Sequence, residues 1–137
     1  MKAEKLLGLN YALQLWMKLK NGGSKFYESI IDIKHAIKNE IEILDEKLKL
    51  YQKDMQELRY DMGIKKDEKL QYEGPMVQGL LRGQQPLFDT EAQKIEDAKE
   101  DLYKSEININ IETKINKKSL PEGYDGDMYE AIMEFLE

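Results

Sequence analysis

A seven-residue repeat of apolar side chains over residues 37–62 constrains the fold of this 137-residue chain more than any other feature. The spacing alternates between four and three residues, which is typical of a helix that packs along one stripe. We call this stripe the heptad seam, and its members are Ile37, Ile41, Leu44, Leu48, Tyr51, Met55, Leu58 and Met62. With Ile30 and Ile33 it predicts a helix over residues 25–62, about 55 Å long.

An earlier helix is predicted over residues 3–20, and it is apolar around most of its circumference. Its polar side chains form only a narrow stripe of Asn10, Gln14 and Lys18. Such a helix must be covered on most sides. Three interpretations stay open: the helix lies at the centre of the fold, it carries a protein–protein contact, or it lies on a membrane surface, where Trp16 and flanking lysines would be typical.

Residues 21–24, Asn-Gly-Gly-Ser, predict a short turn between these helices. Glycine favours the left-handed end of a helix, and Ser24 offers an N-cap oxygen to the next one. A connection this short predicts an antiparallel helical hairpin. The first helix is too short to cover the whole seam, so the remainder must meet the C-terminal half, another protomer or a partner.

Gly63 fits a C-cap for the long helix, and residues 64–88 predict an irregular connection because glycines and prolines interrupt it. A capping box of Thr90 and Gln93 predicts a helix over residues 90–104. Its inward stripe is predicted to be Ala92, Ile95, Ala98 and Leu102.

Residues 106–115 change to a period of two, which predicts a half-buried strand. Residues 69–73 are its candidate partner within the chain, and a second chain is the alternative. A last helix is predicted over residues 125–136, with Met128, Ile132, Phe135 and Leu136 on its inner face.

The predicted fold is therefore mainly α, with a long antiparallel helical hairpin, two shorter helices and a small β element. We expect one domain over residues 1–137. Its parts are the hairpin at 1–63, the irregular connection at 64–88 and a helix-strand-helix region at 89–137.

Charge is distributed unevenly along the chain, whose net charge is −6. Residues 1–66 hold 13 basic and 10 acidic side chains, whereas residues 67–137 hold 8 and 17. A nucleic-acid binder usually has a large basic surface, so we expect no nucleic-acid partner. The acidic half could face a basic partner surface or only solvent.

Cysteine is absent and no apolar run is long enough to span a bilayer, so we expect a cytoplasmic protein without a membrane partner.

No pattern of residues points to catalysis or to a cofactor. His35 is the only histidine, and zinc sites need several nitrogen or sulfur ligands. Asp125-Gly126-Asp127 resembles the start of a calcium loop, but the later ligands are missing. There is no phosphate-binding glycine loop and no nucleophile elbow. The chain is therefore predicted to be a non-enzymatic protein that needs no metal or cofactor.

The surplus of apolar surface on the first two helices predicts a protein interface. The candidate interface residues are Leu9, Leu13, Trp16, Ile37, Ile41, Leu44, Leu48, Tyr51 and Met55. The expected occupant is a protein partner or a second copy of the chain, with a homo-oligomer favoured.

Residues 91–109, EAQKIEDAKEDLYKSEINI, and residues 127–137, DMYEAIMEFLE, carry a resemblance. They resemble a group of small proteins of unknown function from phages of Gram-positive bacteria, which combine a charged helix, an alternating strand and a short acidic C-terminal helix. The resemblance covers about half the chain, and the very apolar first helix departs from it. No functional residue can be transferred.

Together these observations predict a phage or prophage accessory protein that binds a protein, such as a host or defence factor that it inhibits. It would act in the host cytoplasm. The alternative is a structural virion or assembly component that self-associates through its helices.

Overall fold

The computed structural model describes residues 1–65, 77–80 and 85–137. Within them the fold is mainly α, as predicted. The elements are α1 (Ala3–Lys18), α2 (Ser24–Met62), β1 (Gly63–Lys65), β2 (Val77–Leu80), α3 (Gln85–Lys104) and α4 (Gly126–Ile132), with 3₁₀ turns at Lys117–Ser119 and Met133–Phe135.

The chain divides into two compact units, each described by itself below. The first unit comprises Met1–Leu44 and Lys104–Glu137, and the second comprises Asp45–Tyr103. The prediction of a single domain thus stays a prediction. The long helix α2 contributes residues to both units, and its bounds agree with the helix predicted from the heptad seam.

The core of the first unit is built from one face each of α1 and α2. α1 buries Ala3, Leu6, Leu9, Ala12, Leu13 and Trp16, while α2 buries Phe26, Ile30, Ile33, Ile37, Ile41 and Leu44. Ile115, Met128, Ile132 and Phe135 complete it. Each fully buried side chain of this size contributes about 1.5–3 kcal/mol. The chain itself therefore covers the apolar face of α1, as in the interpretation that placed this helix at the centre.

The turn from α1 to α2 is shaped by an aromatic ring rather than by a glycine cap. The residue with a positive φ is Asn21, at 71°, so the predicted glycine C-cap is wrong. The Tyr27 hydroxyl donates a hydrogen bond to the Leu19 oxygen and accepts one of 3.2 Å from the Gly22 amide. A Cβ on Gly22 would lie 2.8 Å from this ring. Gly22 thus permits a close approach, and Ser24 is the first residue of α2 instead of its N-cap.

The segment 106–115 alternates as predicted but forms no strand. Ile107, Ile109, Ile111 and Thr113 are half-buried and Ile115 is buried, while the residues between them are exposed. Its ends pair with the two ends of the chain, through the bridges Lys2–Glu106 and Ile115–Leu136. Each bridge joins a single pair of residues, so no continuous ladder runs along the segment. The predicted partner at 69–73 lies outside the described residues.

Three other boundaries differ from the sequence predictions. Gly63 is the first residue of β1, which pairs antiparallel with β2, instead of a helix cap. α3 begins at Gln85, ahead of the predicted capping box, because proline is well tolerated in a first turn and Pro86 lies there. The Thr90 hydroxyl donates to the Pro86 oxygen at 3.0 Å and caps nothing. α4 ends at Ile132, where a 3₁₀ turn follows.

Candidate protein-binding surfaces

The nine predicted interface residues fall into two groups. Leu9, Leu13, Trp16, Ile37, Ile41 and Leu44 are buried inside the first unit, at 8% exposure or less. Leu48, Tyr51 and Met55 are half-buried in the second unit. The first group is covered by the chain itself, so the second group and the floors of surface grooves are what remain for a partner.

The second unit contains the more open of the two helix pairs. α2 and α3 run antiparallel in it, since Asp45 lies near Tyr103 at one end and Asp61 near Glu91 at the other. Among the side chains described here, at residues 45–62 and 85–103, none is buried. The predicted inward stripe of α3 is likewise only half-buried. This helix pair therefore leaves apolar surface uncovered within its described residues.

One face of this pair forms a groove of 510 Å³, which we call the α2–α3 groove. Leu48, Tyr51, Met55 and Ile95 supply its apolar side chains. Its charged members are Asp45, Lys49, Arg59, Glu96 and Lys99, joined by Gln52, Gln56 and Tyr103. The ion pairs found among the described residues involve none of these five charges. They are therefore available to charges on a partner.

The opposite face of the helix pair carries mainly acids. Of the described residues, those with acidic side chains that line the groove there are Asp54, Glu57, Asp61 and Glu91, and Lys94 is the one base. Lys94 is bound to Glu91 at 3.0 Å. The two faces of the pair thus differ in charge, one mixed and one acidic.

A second groove lies in the first unit between α1 and α4, and we call it the α1–α4 groove. Its apolar floor is formed by Gly8, Leu9, Ala12, Leu15, Met128 and Ala131. Among the described residues, its rim carries Asp125, Asp127, Glu130 and Glu134 and a single base, Lys5. Tyr11 lies at the edge and is 64% exposed. A Cβ on Gly8 would meet no atom within 4 Å, so the groove is open above this residue.

The α1–α4 groove is held in shape by contacts that cross between the two helices. The Trp16 indole Nε1 donates a buried hydrogen bond of 2.9 Å to the Met128 oxygen. Lys5 lies 3.4 Å from Glu134, so the only base of the rim is already paired. The Asp125 carboxylate accepts from the Met128 amide at 2.8 Å and so begins α4. Helices that are fixed in this way keep the four carboxylates around the floor.

Sequence reasoning missed the α1–α4 groove, although Leu9, which is one of the nine predicted interface residues, lies on the floor of this groove. In the sequence, Asp125 and Asp127 resembled only the start of an incomplete calcium loop. Gly8, in the middle of an otherwise apolar helix, was the signal that could have found it. A glycine at such a position costs helix stability and often marks a close approach or an open surface.

The described residues hold no group of three or more acids or histidines arranged for a metal ion. His35 is exposed on α2. In the described part of the chain, no helix combines the length and apolarity that crossing a membrane requires. The arrangement of side chains offers apolar floors with charged rims, which is what a protein-binding surface needs.

The chain was also compared with known proteins. No protein-family model, no curated protein and no solved structure matches it.

Proposed function

We propose that this protein acts by binding another protein, and that the α1–α4 groove takes a basic amphipathic segment of its partner. One observation carries the proposal: in the described part of the chain, an open apolar floor is ringed by four carboxylates, and the single lysine among them is already paired. Apolar side chains of the partner would fill the floor. Its lysines or arginines would meet the rim, where charge speeds association and selects the partner.

The wider role that we propose is that of a phage or prophage accessory protein that inhibits a host or defence factor in the cytoplasm. The resemblance of residues 91–109 and 127–137 to phage proteins supports it. Proteins that act by occupying a partner need no catalytic group, and we propose none here. The groove supplies the contact by which such a protein would hold its target.

A synthetic helical peptide of leucine, lysine and arginine tests the groove, with an acidic peptide of the same pattern as its control. Trp16 is the only tryptophan, and its buried indole is bonded to the main-chain oxygen of Met128, a residue of the groove floor, so we expect its fluorescence to respond when the floor is filled. We expect the basic peptide to bind and to shift this fluorescence, and the acidic peptide to do neither.

Charge reversal inside and outside the groove separates specific binding from general attraction. The double variant Asp127→Lys/Glu130→Lys should bind the basic peptide at least about tenfold more weakly, because it reverses two charges of the rim. The control Asp32→Lys/Glu42→Lys makes the same net change at exposed positions of α2 outside the groove. If both variants weaken binding equally, the groove is not the site.

The second candidate function is a virion or assembly component that self-associates. The observation that favours it is that apolar side chains of α2 and α3 in the second unit are only half-buried. Recovery of the protein in purified particles, in fixed proportion to a coat protein, would support this function over the first.

A further inference from the structure

We propose that the α2–α3 groove is the docking surface for a second copy of this chain. The two copies would meet face to face about a two-fold axis through Gln52, with each α2 antiparallel to the other. In this arrangement Asp45 of one copy faces Arg59 of the second copy, and the reverse pair forms at the other end. This surface is different from the α1–α4 groove.

The apolar side chains of the groove require a covering layer. A pair of helices buries its stripes only against another layer of structure, as in bundles of four helices. Leu48, Tyr51 and Met55 continue the seam whose earlier members, Ile37, Ile41 and Leu44, are buried in the first unit. The change from buried to half-buried along one repeat indicates that the second unit lacks the layer that the first possesses.

Two of the three groove charges on α2, those of Asp45 and Arg59, have the pattern that a two-fold axis demands. Asp45, Gln52 and Arg59 are seven residues apart, so they lie on one stripe of the helix. A rotation about an axis at Gln52 exchanges the two ends of this stripe. It therefore places an acid against a base twice, and leaves only the uncharged Gln52 facing itself. An isologous interface needs this kind of self-complementarity.

The charges on α3 fit the same axis. Because α2 and α3 run antiparallel, the part of α3 beside Gln52 is the turn that contains Glu96 and Lys99. These two residues have opposite charges and lie on either side of the axis. The rotation brings Glu96 of one copy close to Lys99 of the other. Both helices of the groove thus offer complementary charge to a second copy.

Two of the other grooves do not share this property. Among the described residues, the α1–α4 groove and the acidic groove on the opposite face of the helix pair are each lined by four acids and one base. Two copies brought together there would repel each other. Charge therefore favours self-association at the α2–α3 groove over these two grooves.

A single cysteine at the axis gives the most direct test. The chain has no cysteine of its own, so Gln52→Cys would place one thiol beside its own copy. We expect oxidised Gln52→Cys to form a disulfide-linked dimer, because position 52 faces itself across the axis. A disulfide forms only where the two Cα atoms come close, usually about 4.4–6.8 Å apart. The control Glu46→Cys, at an exposed position outside the groove, should stay monomeric on a denaturing gel. Equal crosslinking of both variants would overturn the proposed axis.

Charge exchange gives a second test, measured on the full chain by analytical ultracentrifugation. Asp45→Arg and Arg59→Asp should each raise the dimer dissociation constant about tenfold, because each alters two symmetric pairs. The double variant Asp45→Arg/Arg59→Asp should restore dissociation to near the wild-type value, and the control Glu46→Arg should not change it. Circular dichroism would check the helix content of each variant.

A wild-type chain that stays monomeric at millimolar concentration would overturn the inference. So would a double variant whose dimer dissociation constant is as high as those of the two single variants. The outcome is separate from the peptide experiment on the α1–α4 groove. Asp127→Lys/Glu130→Lys should leave dimerisation unchanged, so one proposal can fail while the other stands.

Discussion

The indole of Trp16 on α1 is bonded to the main-chain oxygen of Met128 on α4 across a distance of 2.9 Å. The two residues are 112 positions apart in the chain. Phe26 and Tyr124 pack around the same indole, with ring centroids 5.5 and 5.0 Å away. This cluster joins the first and last helices of the first unit and supports the floor of the α1–α4 groove.

Replacement of Trp16 by phenylalanine should therefore lower the free energy of unfolding by about 2–4 kcal/mol. The variant leaves a void in the core and removes the hydrogen bond to Met128. Urea denaturation followed by circular dichroism measures the loss. Tyr11→Phe, which also alters an aromatic side chain of α1 but at an exposed position, should change stability by less than about 0.5 kcal/mol. Equal losses would contradict the central role of Trp16.

Replacing either of two glycines of the first unit by alanine should change the free energy of unfolding, in opposite directions at the two positions. At Gly22 the added Cβ would lie 2.8 Å from Tyr27, whose hydroxyl is held by Leu19 and Gly22. The ring must move and lose these bonds, so Gly22→Ala should destabilise by about 1–2 kcal/mol. Thermal unfolding of the variant would measure it. No loss would show that the Tyr27 ring does not hold this turn.

Gly8 lies inside α1, and a Cβ there would meet nothing within 4 Å. Alanine is a better helix former than glycine by about 0.5–1 kcal/mol. Gly8→Ala should therefore raise the free energy of unfolding by this amount in the same assay. A destabilised Gly8→Ala variant would mean that the groove is closed above this residue.

The alternation along residues 106–115 predicts unequal costs for truncation. Ile115→Ala should destabilise by about 2–5 kcal/mol, because Ile115 is fully buried. Ile111→Ala should cost roughly half as much, since this side chain is only half-buried. Denaturation of the two variants in parallel gives the comparison, and equal costs would contradict the burial pattern.

The start of α4 depends on Asp125, whose carboxylate accepts from the Met128 amide. Asp125→Ala should cost about 1 kcal/mol, while Asp125→Asn should cost much less because asparagine also caps helices. Asp127 lies in the same first turn and makes no cap, so Asp127→Ala is the matched control. Chemical denaturation of the three variants would distinguish a cap from general charge at the helix end.

The parts of the fold that sequence reasoning predicted well are those set by local periodicity. The heptad seam gave α2 to within one residue, and the alternation at 106–115 gave the correct exposed side chains. What it missed depends on distant contacts. Whether residues 106–115 form a ladder is decided by which segments lie beside them, and the periodicity carries no such information.

The candidate site could be predicted only in part, for the same reason. Leu48, Tyr51 and Met55 line the α2–α3 groove, but the same apolar pattern also marked Leu13 and Trp16, which the core covers. A repeat of apolar residues shows that a face will be buried and not what buries it. The rim of the α1–α4 groove joins residues of both chain ends, which no local pattern connects.

The extended segment between Ile107 and Ile115 has a consequence for dynamics. Its two end residues bond to main-chain atoms of Met1, Phe135 and Glu137, and no main-chain bond between described residues involves 108–114. The amides of 108–114 should then exchange with deuterated water within seconds, whereas those of Ile107 and Ile115 should persist. Mass spectrometry of this stretch would thus report separately, at each of its two ends, when the hydrogen bonds to the chain termini break.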